Sequence, residues 1–564
     1  MMKPLALLFA LSFAVQTRTA SIEGVVVEAG NSQPVMRAVV QLEGGASGPL
    51  AMVTGADGRF GFQNLAAGSY RLTVSRNGFL NSAYGQRGPN GKGSSLVVPA
   101  GQAMKDIRLT MVATAAISGR VFDQNGEPLV NARVQALKYS YASGQKTLTA
   151  VKNDQTNDRG EYRLFWLPPG QYYINATSQS GQRGGAVFVI HSESLGTKRA
   201  TADGRILTDN ETGPEKLGEA DVAVFYPGTP DAQAAQAVNA GPGADIGGVD
   251  FTLLRVKTRS VQGFVFDVVT GQPVNAGSVS LVPRGPSVTG SMSAPLNEGQ
   301  FSFRGVLPGS YFVVAMQRSN SRNGNTTMRG GRVPVDVGAA DVEGLSVVLS
   351  LPVEISGDAV TEGRPAGRTD GLYTVVSLKN ETAAATGTAS FGTAYGSFKE
   401  DQQFTIDPLI PGDYRVQVEN LPQGAYVKSI RFGGEDVLNG TLQISQRSSD
   451  RLSIVLSTNS GAVEGTVTVR NGAPLSSAAV ALVPDASHRQ RADLYRSAYT
   501  DDSGRFRLEG ISPGVYVLFS WEDIEDGLWH DPEFIRRSEA AGKVVRITEG
   551  GRESVELSAI PFAY

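Results

Sequence analysis

The 564-residue sequence contains no cysteine. That excludes disulfides, thiol nucleophiles, thiolate metal sites and lipid attachment to cysteine, so every core must be held by packing and hydrogen bonding alone. Histidine is nearly missing too: His191, His488 and His530 are the only three, and no HExxH pattern occurs. No GxSxG elbow is present, and no glycine-rich loop opens a helix as a phosphate site requires, so no cofactor is expected. Past the first residues no stretch stays apolar for about 18 positions, so no transmembrane helix is expected. Basic residues are not in excess, with 51 Lys and Arg against 54 Asp and Glu. A nucleic-acid partner is therefore not expected, since it would call for a basic stripe.

What the chain has in quantity is glycine, 67 residues, with 28 prolines and 41% apolar residues. This is the composition of a folded, turn-rich protein built of many short strands. The first residues, MMKPLALLFALSFAVQTRTAS, place Lys3 ahead of an apolar run from Leu5 to Val15. That is the shape of a secretory signal, read here as residues 1–20 with cleavage after Ala20, and it implies export to the periplasm or the extracellular cell envelope.

Five near-copies of one motif organise the rest: LAAGSY, LPPGQY, VLPGSY, LIPGDY and ISPGVY, ending at Tyr70, Tyr172, Tyr311, Tyr414 and Tyr516. Ten residues before each tyrosine stands an aromatic: Phe60, Tyr162, Phe301, Phe404 and Phe506. Two residues before the aromatic come Gly58, Gly160, Gly299 and Gly504, which supply the positive φ of a hairpin turn. The fourth copy has Gln402 there, so its turn is expected to differ in type or length. Phe60 and Phe62, or Phe506 and Leu508, alternate with polar residues at the period of a half-buried strand. Each copy opens on two alternating strands around an Asn/Gly/Pro turn and closes on two more, about seven strands in all. A tyrosine just past a Leu-x-Pro-Gly turn fits a tyrosine corner, its ring on the core edge and its hydroxyl bonded to backbone slightly upstream. The five tyrosines are thus structural.

The stretches ISGRVFDQNGEPLVNARVQAL and TNDRGEYRLFWLPPGQYYI resemble the carboxypeptidase regulatory-like domain, a transthyretin-like sandwich also grouped with carbohydrate-binding-like folds. The resemblance implies a non-catalytic module of exported or surface proteins. The expected fold is all-β: five small antiparallel seven-stranded sandwiches in tandem, at 21–112, 114–255, 258–351, 352–457 and 460–562, with the fourth degenerate.

Function is expected in departures from the repeat. Successive motif tyrosines lie 102 or 103 positions apart, except for 139 after Tyr172, which marks an insertion at about 180–245. The second copy also carries LKYSYASGQ, with Tyr139 and Tyr141, and the fifth carries SWEDIEDGLWHDPEF. There Trp521 and Trp529 stand among Glu522, Asp523, Glu525, Asp526, Asp531 and Glu533. Tryptophans at a loop end can stack on sugar rings while Asp523 and Asp526 accept from sugar hydroxyls. At least one of the two indoles is expected to be exposed. A competing expectation is that Asp531-Pro532 starts a short helix and both tryptophans pack on their own domain. His530 and Glu533 share the HxxE spacing of zinc carboxypeptidases, but no histidine follows to complete three ligands, so no metal site is expected. The expected function is an exported non-enzymatic binding or scaffold protein, its partner a polysaccharide or a cell-envelope protein. The alternatives are a dedicated polysaccharide-binding accessory protein and a hydrolase using Asp523 and Glu533 as acid and base.

Overall fold

The computed structural model describes residues 19–562 apart from 46–47, 142–145, 179–187, 191–197, 201–205, 208–218, 285–290, 321–325, 364–373, 381–392, 400–401, 423 and 446–448. The signal segment, His191 and much of the insertion after Tyr172 lie outside the described residues. Ala20 is within them: it is buried and pairs with Leu65, so a cut after it would remove a core residue of the first strand.

The chain is nearly all β, and its principal sheets fall into five successive facing pairs. The fifth pair shows the plan. One sheet has Gly461–Thr468 between Arg505–Ile511 and Arg552–Ser558; the other has the order Arg496–Tyr499, Ala479–Pro484, Gly514–Trp521, Lys543–Ile547. Apolar residues from the inner faces of each pair form a separate cluster, centred for example on Val40, Leu72 and Leu109 in the first and on Val480, Leu482 and Leu518 in the fifth. Most ladders are antiparallel, but in every pair the opening strand lies parallel to a closing one, as Ala20–Glu28 does with Ala103–Met111 and Gly461–Thr468 with Arg552–Ser558. Parallel neighbours start at the same end, so the chain enters a sandwich at one end and leaves at the other, into the next.

The repeat signature has a steric cause. The glycine opening each copy pairs with the aromatic that precedes the motif tyrosine by ten: Gly24 with Phe60, Gly119 with Tyr162, Gly263 with Phe301, Gly357 with Phe404 and Gly465 with Phe506. A Cβ on Gly465 would lie 1.9 Å from the Val555 carbonyl oxygen, and one on Gly357 would lie 2.1 Å from the Phe404 ring. Nothing larger than glycine fits between the closing strand and the ring. The motif tyrosines all donate to the carbonyl four residues earlier: Tyr70 to Ala66 (2.8 Å), Tyr172 to Pro168, Tyr311 to Leu307 (2.9 Å), Tyr414 to Ile410 (2.7 Å) and Tyr516 to Ser512 (2.9 Å). Burial pushes the phenols of Tyr311, Tyr414 and Tyr516 up, the last to about 12, so each stays a donor.

Residues 400–401 of the fourth copy's turn lie outside the described residues, but the end of that turn is like the others. Gln402 has φ +61 and its carbonyl accepts from Ala359 N at 2.9 Å, as the Gly58 carbonyl does from Val26 N at 2.8 Å. The ladder bond holds a non-glycine residue in the left-handed region, where it costs about 1–2 kcal/mol.

Candidate functional site at the seam of the last and first sandwiches

The run SWEDIEDGLWHDPEF folds back over the fifth sandwich. Along Gly514–Trp521, Tyr516 and Leu518 face the inner core while Val517, Phe519 and Trp521 face outward. That outward face is covered. Gly527, at φ +82, turns the chain into a short 3₁₀ turn, Leu528–His530, and the helix Pro532–Ser538 follows. Asp531 caps the helix, accepting from Glu533 N at 2.7 Å and Phe534 N at 3.0 Å, with Pro532 at the first helical position. Trp521, Ile524, Trp529 and Ile535 then close over Ala479, Ala481 and Phe519 as a second apolar cluster.

This corrects the expectation of an exposed indole: Trp521 is 3% and Trp529 7% accessible. The sheet's outer face is itself apolar, and the water excluded by covering it drives both rings inward. Neither indole offers a face for a sugar ring.

Four of the run's six carboxylates point the other way, toward the first two sandwiches. Glu522 meets Arg87 at 3.4 Å. Asp523 accepts from the backbone N–H of Asn90 at 3.1 Å, and a Cβ on Gly88 would lie 2.2 Å from its Oδ2. Glu525 meets Lys138 at 3.0 Å. Asp531 accepts from the Tyr141 hydroxyl and lies 3.7 Å from Lys146. Asp526 stays within its own sandwich, accepting from the Tyr499 hydroxyl, while Lys92 of the first sandwich sits over the Tyr499 ring at 4.0 Å. Ser94 and Ser476 add a hydroxyl pair at 2.5 Å. Tyr139 packs edge-on against Tyr173 with Lys146 above its ring at 4.2 Å.

Tyr141 and Asp523 thus meet partners across a seam in which the last sandwich grips the first two, Tyr139 and Asp526 adjoin it through Lys146 and Tyr499, and Trp521 and Trp529 lie in the apolar cover of their own sandwich. The seam is partly desolvated: Asp523 and Tyr141 are buried, whereas the Arg87, Glu525 and Lys146 side chains stay about half exposed. Burial pushes the Asp523 carboxyl up and the Tyr141 phenol up. Burial also opposes the Asp531 carboxylate, but the Tyr141 hydroxyl, two backbone N–H groups and Lys146 together hold its pKa below the usual range.

Asp523 faces the Asn90 loop, whereas Glu533 is largely exposed beside Arg536 at 3.9 Å. The His530 ring packs against Tyr495 at a 39° tilt with centroids 4.1 Å apart, and burial lowers its pKa. Among the described residues no group of three or more His, Asp or Glu side chains is arranged to hold a metal ion.

Sequence reasoning passed over the third tryptophan. Trp166 is 53% exposed on the second sandwich and meets Phe165 edge-on at 5.1 Å. The signal was in the repeat: the two positions hold Gln63-Asn64, Arg304-Gly305, Asp407-Pro408 and Glu509-Gly510 in the other copies.

The carboxypeptidase regulatory-like domain model matches residues 21–112, 116–193 and 462–520. No curated protein matches the chain. Similar solved structures include a streptococcal ancillary pilin (12% identity, 54% of this chain and 100% of that one, TM-score 0.20). They also include the major pilin subunit of Bacillus cereus (9% identity, 59% and 100%, TM-score 0.15) and the minor pilin of Streptococcus agalactiae (14% identity, 42% and 96%, TM-score 0.20).

Proposed function

We propose that this chain, which carries carboxypeptidase regulatory-like domains in tandem, is an exported, non-enzymatic scaffold. It holds five independently folding sandwiches in a folded-back array and presents them to a polysaccharide or a protein of the cell envelope. One observation carries the proposal. Four of the six carboxylates in the acidic run of the fifth sandwich, where a ligand-binding cluster was expected, are spent on contacts with residues of the first two, up to 435 positions away in sequence. Carboxylates committed to Arg87, Asn90, Lys138 and Tyr141 are not free to act as acid and base. The contacts instead stiffen an array whose linkers are only a few residues long.

The test is solution scattering on the full chain and on Gly88→Leu. Leucine at 88 places its Cβ against Asp523 and wedges the seam apart, at a position whose backbone does not require glycine. The wild type should fit the folded-back dimensions and Gly88→Leu should be measurably more extended. Equal profiles, both extended, would contradict the proposal. Co-sedimentation with insoluble cell-envelope material supplies the second arm: the wild type should pellet with it, and absence of binding would leave no role for a scaffold there.

A further inference from the structure

We infer that the second sandwich binds a neutral polysaccharide chain across its outer face, with Phe165 and Trp166 as the stacking platform. The inference rests on the partner class proposed above and assigns it a place. Its first support is backbone conformation. Trp166 has φ +59 at a bulge where the pairing shifts between Leu164 and Leu167. Asn64, Gly305 and Gly510 hold the same repeat position at φ +59, +73 and +69, as residues suited to the left-handed region do. A bulky side chain there is an outlier. The second sandwich keeps it, and points the indole at solvent beside Phe165, itself 42% exposed. Lys152 lies over the Phe165 ring at 4.6 Å and steadies one side of the pair. Strain held in place to display an aromatic pair is a mark of a binding site.

The second support is the groove next to the pair. Glu161, Arg163 and Phe165 alternate along one face of Glu161–Leu167, so the aromatic end runs directly into a groove of about 790 Å³ lined by Ser118, Arg120, Asp154, Asn157, Glu161 and Arg163. The volume is that of a ligand site. Both of its arginines are already paired, Arg120 with Glu161 at 2.7 Å and Arg163 with Asp245 at 3.0 Å, while Asp154 accepts from the Arg163 backbone N–H at 2.9 Å and Asp250 from that of Arg120 at 2.8 Å. Such a surface offers donors and acceptors but, among the described residues, no unpaired cation, and its remaining charge is negative. That suits hydroxyls rather than phosphates, sulfates or uronates. The groove is open to solvent, which suits a polymer laid on the surface rather than an enclosed small molecule.

The test is affinity gel electrophoresis of the full chain in gels containing soluble β-1,3-glucan, arabinoxylan, galactomannan or polygalacturonate. At least one neutral polymer should retard the wild type, and Trp166→Gly and Phe165→Ala should each weaken retardation at least tenfold. Trp166→Gly, which places the residue of the other copies, should melt no lower than the wild type, so lost binding cannot be ascribed to misfolding. Acrylamide quenching gives an independent readout, because Trp166 is exposed while Trp521 and Trp529 are buried: the neutral polymer should protect one indole in the wild type and none in Trp166→Gly. Retardation by polygalacturonate alone, by none of the polymers, or as strong in both variants as in the wild type would overturn the inference. Both variants should leave the seam closed, so failure here is distinguishable from failure of the scaffold.

Discussion

Replacing Gly465 by alanine adds one methyl group, and the structure gives it nowhere to go. The Cβ would stand 1.9 Å from the Val555 carbonyl oxygen and 3.1 Å from the Phe506 ring. The nearer atom belongs to the backbone of the strand paired in parallel with Gly461–Thr468, so no rotamer change relieves the clash; the two strands must part by more than 1 Å. Overpacking of a well-packed core costs about 1–3 kcal/mol, and a backbone-to-backbone clash belongs at the upper end, about 3 kcal/mol. Trp521 and Trp529 are both buried in the fifth sandwich, so urea unfolding followed by indole emission reports on it. At a slope of about 1.5 kcal/mol/M, the midpoint should fall by roughly 2 M. Gly338→Ala, with nothing within 4 Å of its Cβ, should leave that transition in place. A midpoint for Gly465→Ala within experimental error of the wild type would refute the steric account of the repeat.

Three further outcomes follow from the same geometry. Tyr172→Phe removes one buried hydrogen bond and should cost about 1 kcal/mol, whereas Tyr172→Ala empties a fully buried site and should cost about 3–5 kcal/mol, both by calorimetry of the full chain. Gln402→Gly relieves a left-handed residue but loosens the unfolded chain, so the net gain should be under about 1 kcal/mol; a clear loss would show that the Gln402 side chain does more than occupy the turn. Asp523 is a buried acid whose pKa is raised, so its folded form favours the proton: its stability contribution is full below its unfolded pKa and is lost as pH rises through the folded value. Asp523→Asn should therefore be more stable than the wild type at pH 7, with the difference shrinking as pH falls toward 4; a difference that grows on acidification would reverse the sign.

The modules were legible because each is specified locally. The tyrosine, the glycine and the aromatic lie within 57 residues of one another, and each answers to one steric or hydrogen-bonding need that recurs five times. The seam was not legible, because Arg87, Asn90 and Lys138 meet Glu522, Asp523 and Glu525 across almost the whole chain and nothing repeats to mark them. A signal for the buried indoles did exist: AVALVP at Ala479–Pro484 is apolar on both faces, as a strand covered on both sides must be. Its outward residues required a cover, and the run after Trp521 supplies Ile524, Trp529 and Ile535 for it. Acidic residues between these positions suggested acceptors for a ligand, when their partners were basic and backbone groups of the same chain.

The folded-back array is tested most directly by cross-linking its ends. Ser94 and Ser476 face each other with hydroxyl oxygens 2.5 Å apart, and the chain has no cysteine to compete. The double variant Ser94→Cys, Ser476→Cys should form an intramolecular disulfide under mild oxidation, since side chains so placed lie within the reach of an S–S bond. The monomer should then run faster on a non-reducing gel and revert with reductant, while each single variant stays unchanged. Free thiols in the oxidised double variant, or bonds formed only between molecules, would contradict the seam and the scaffold built on it.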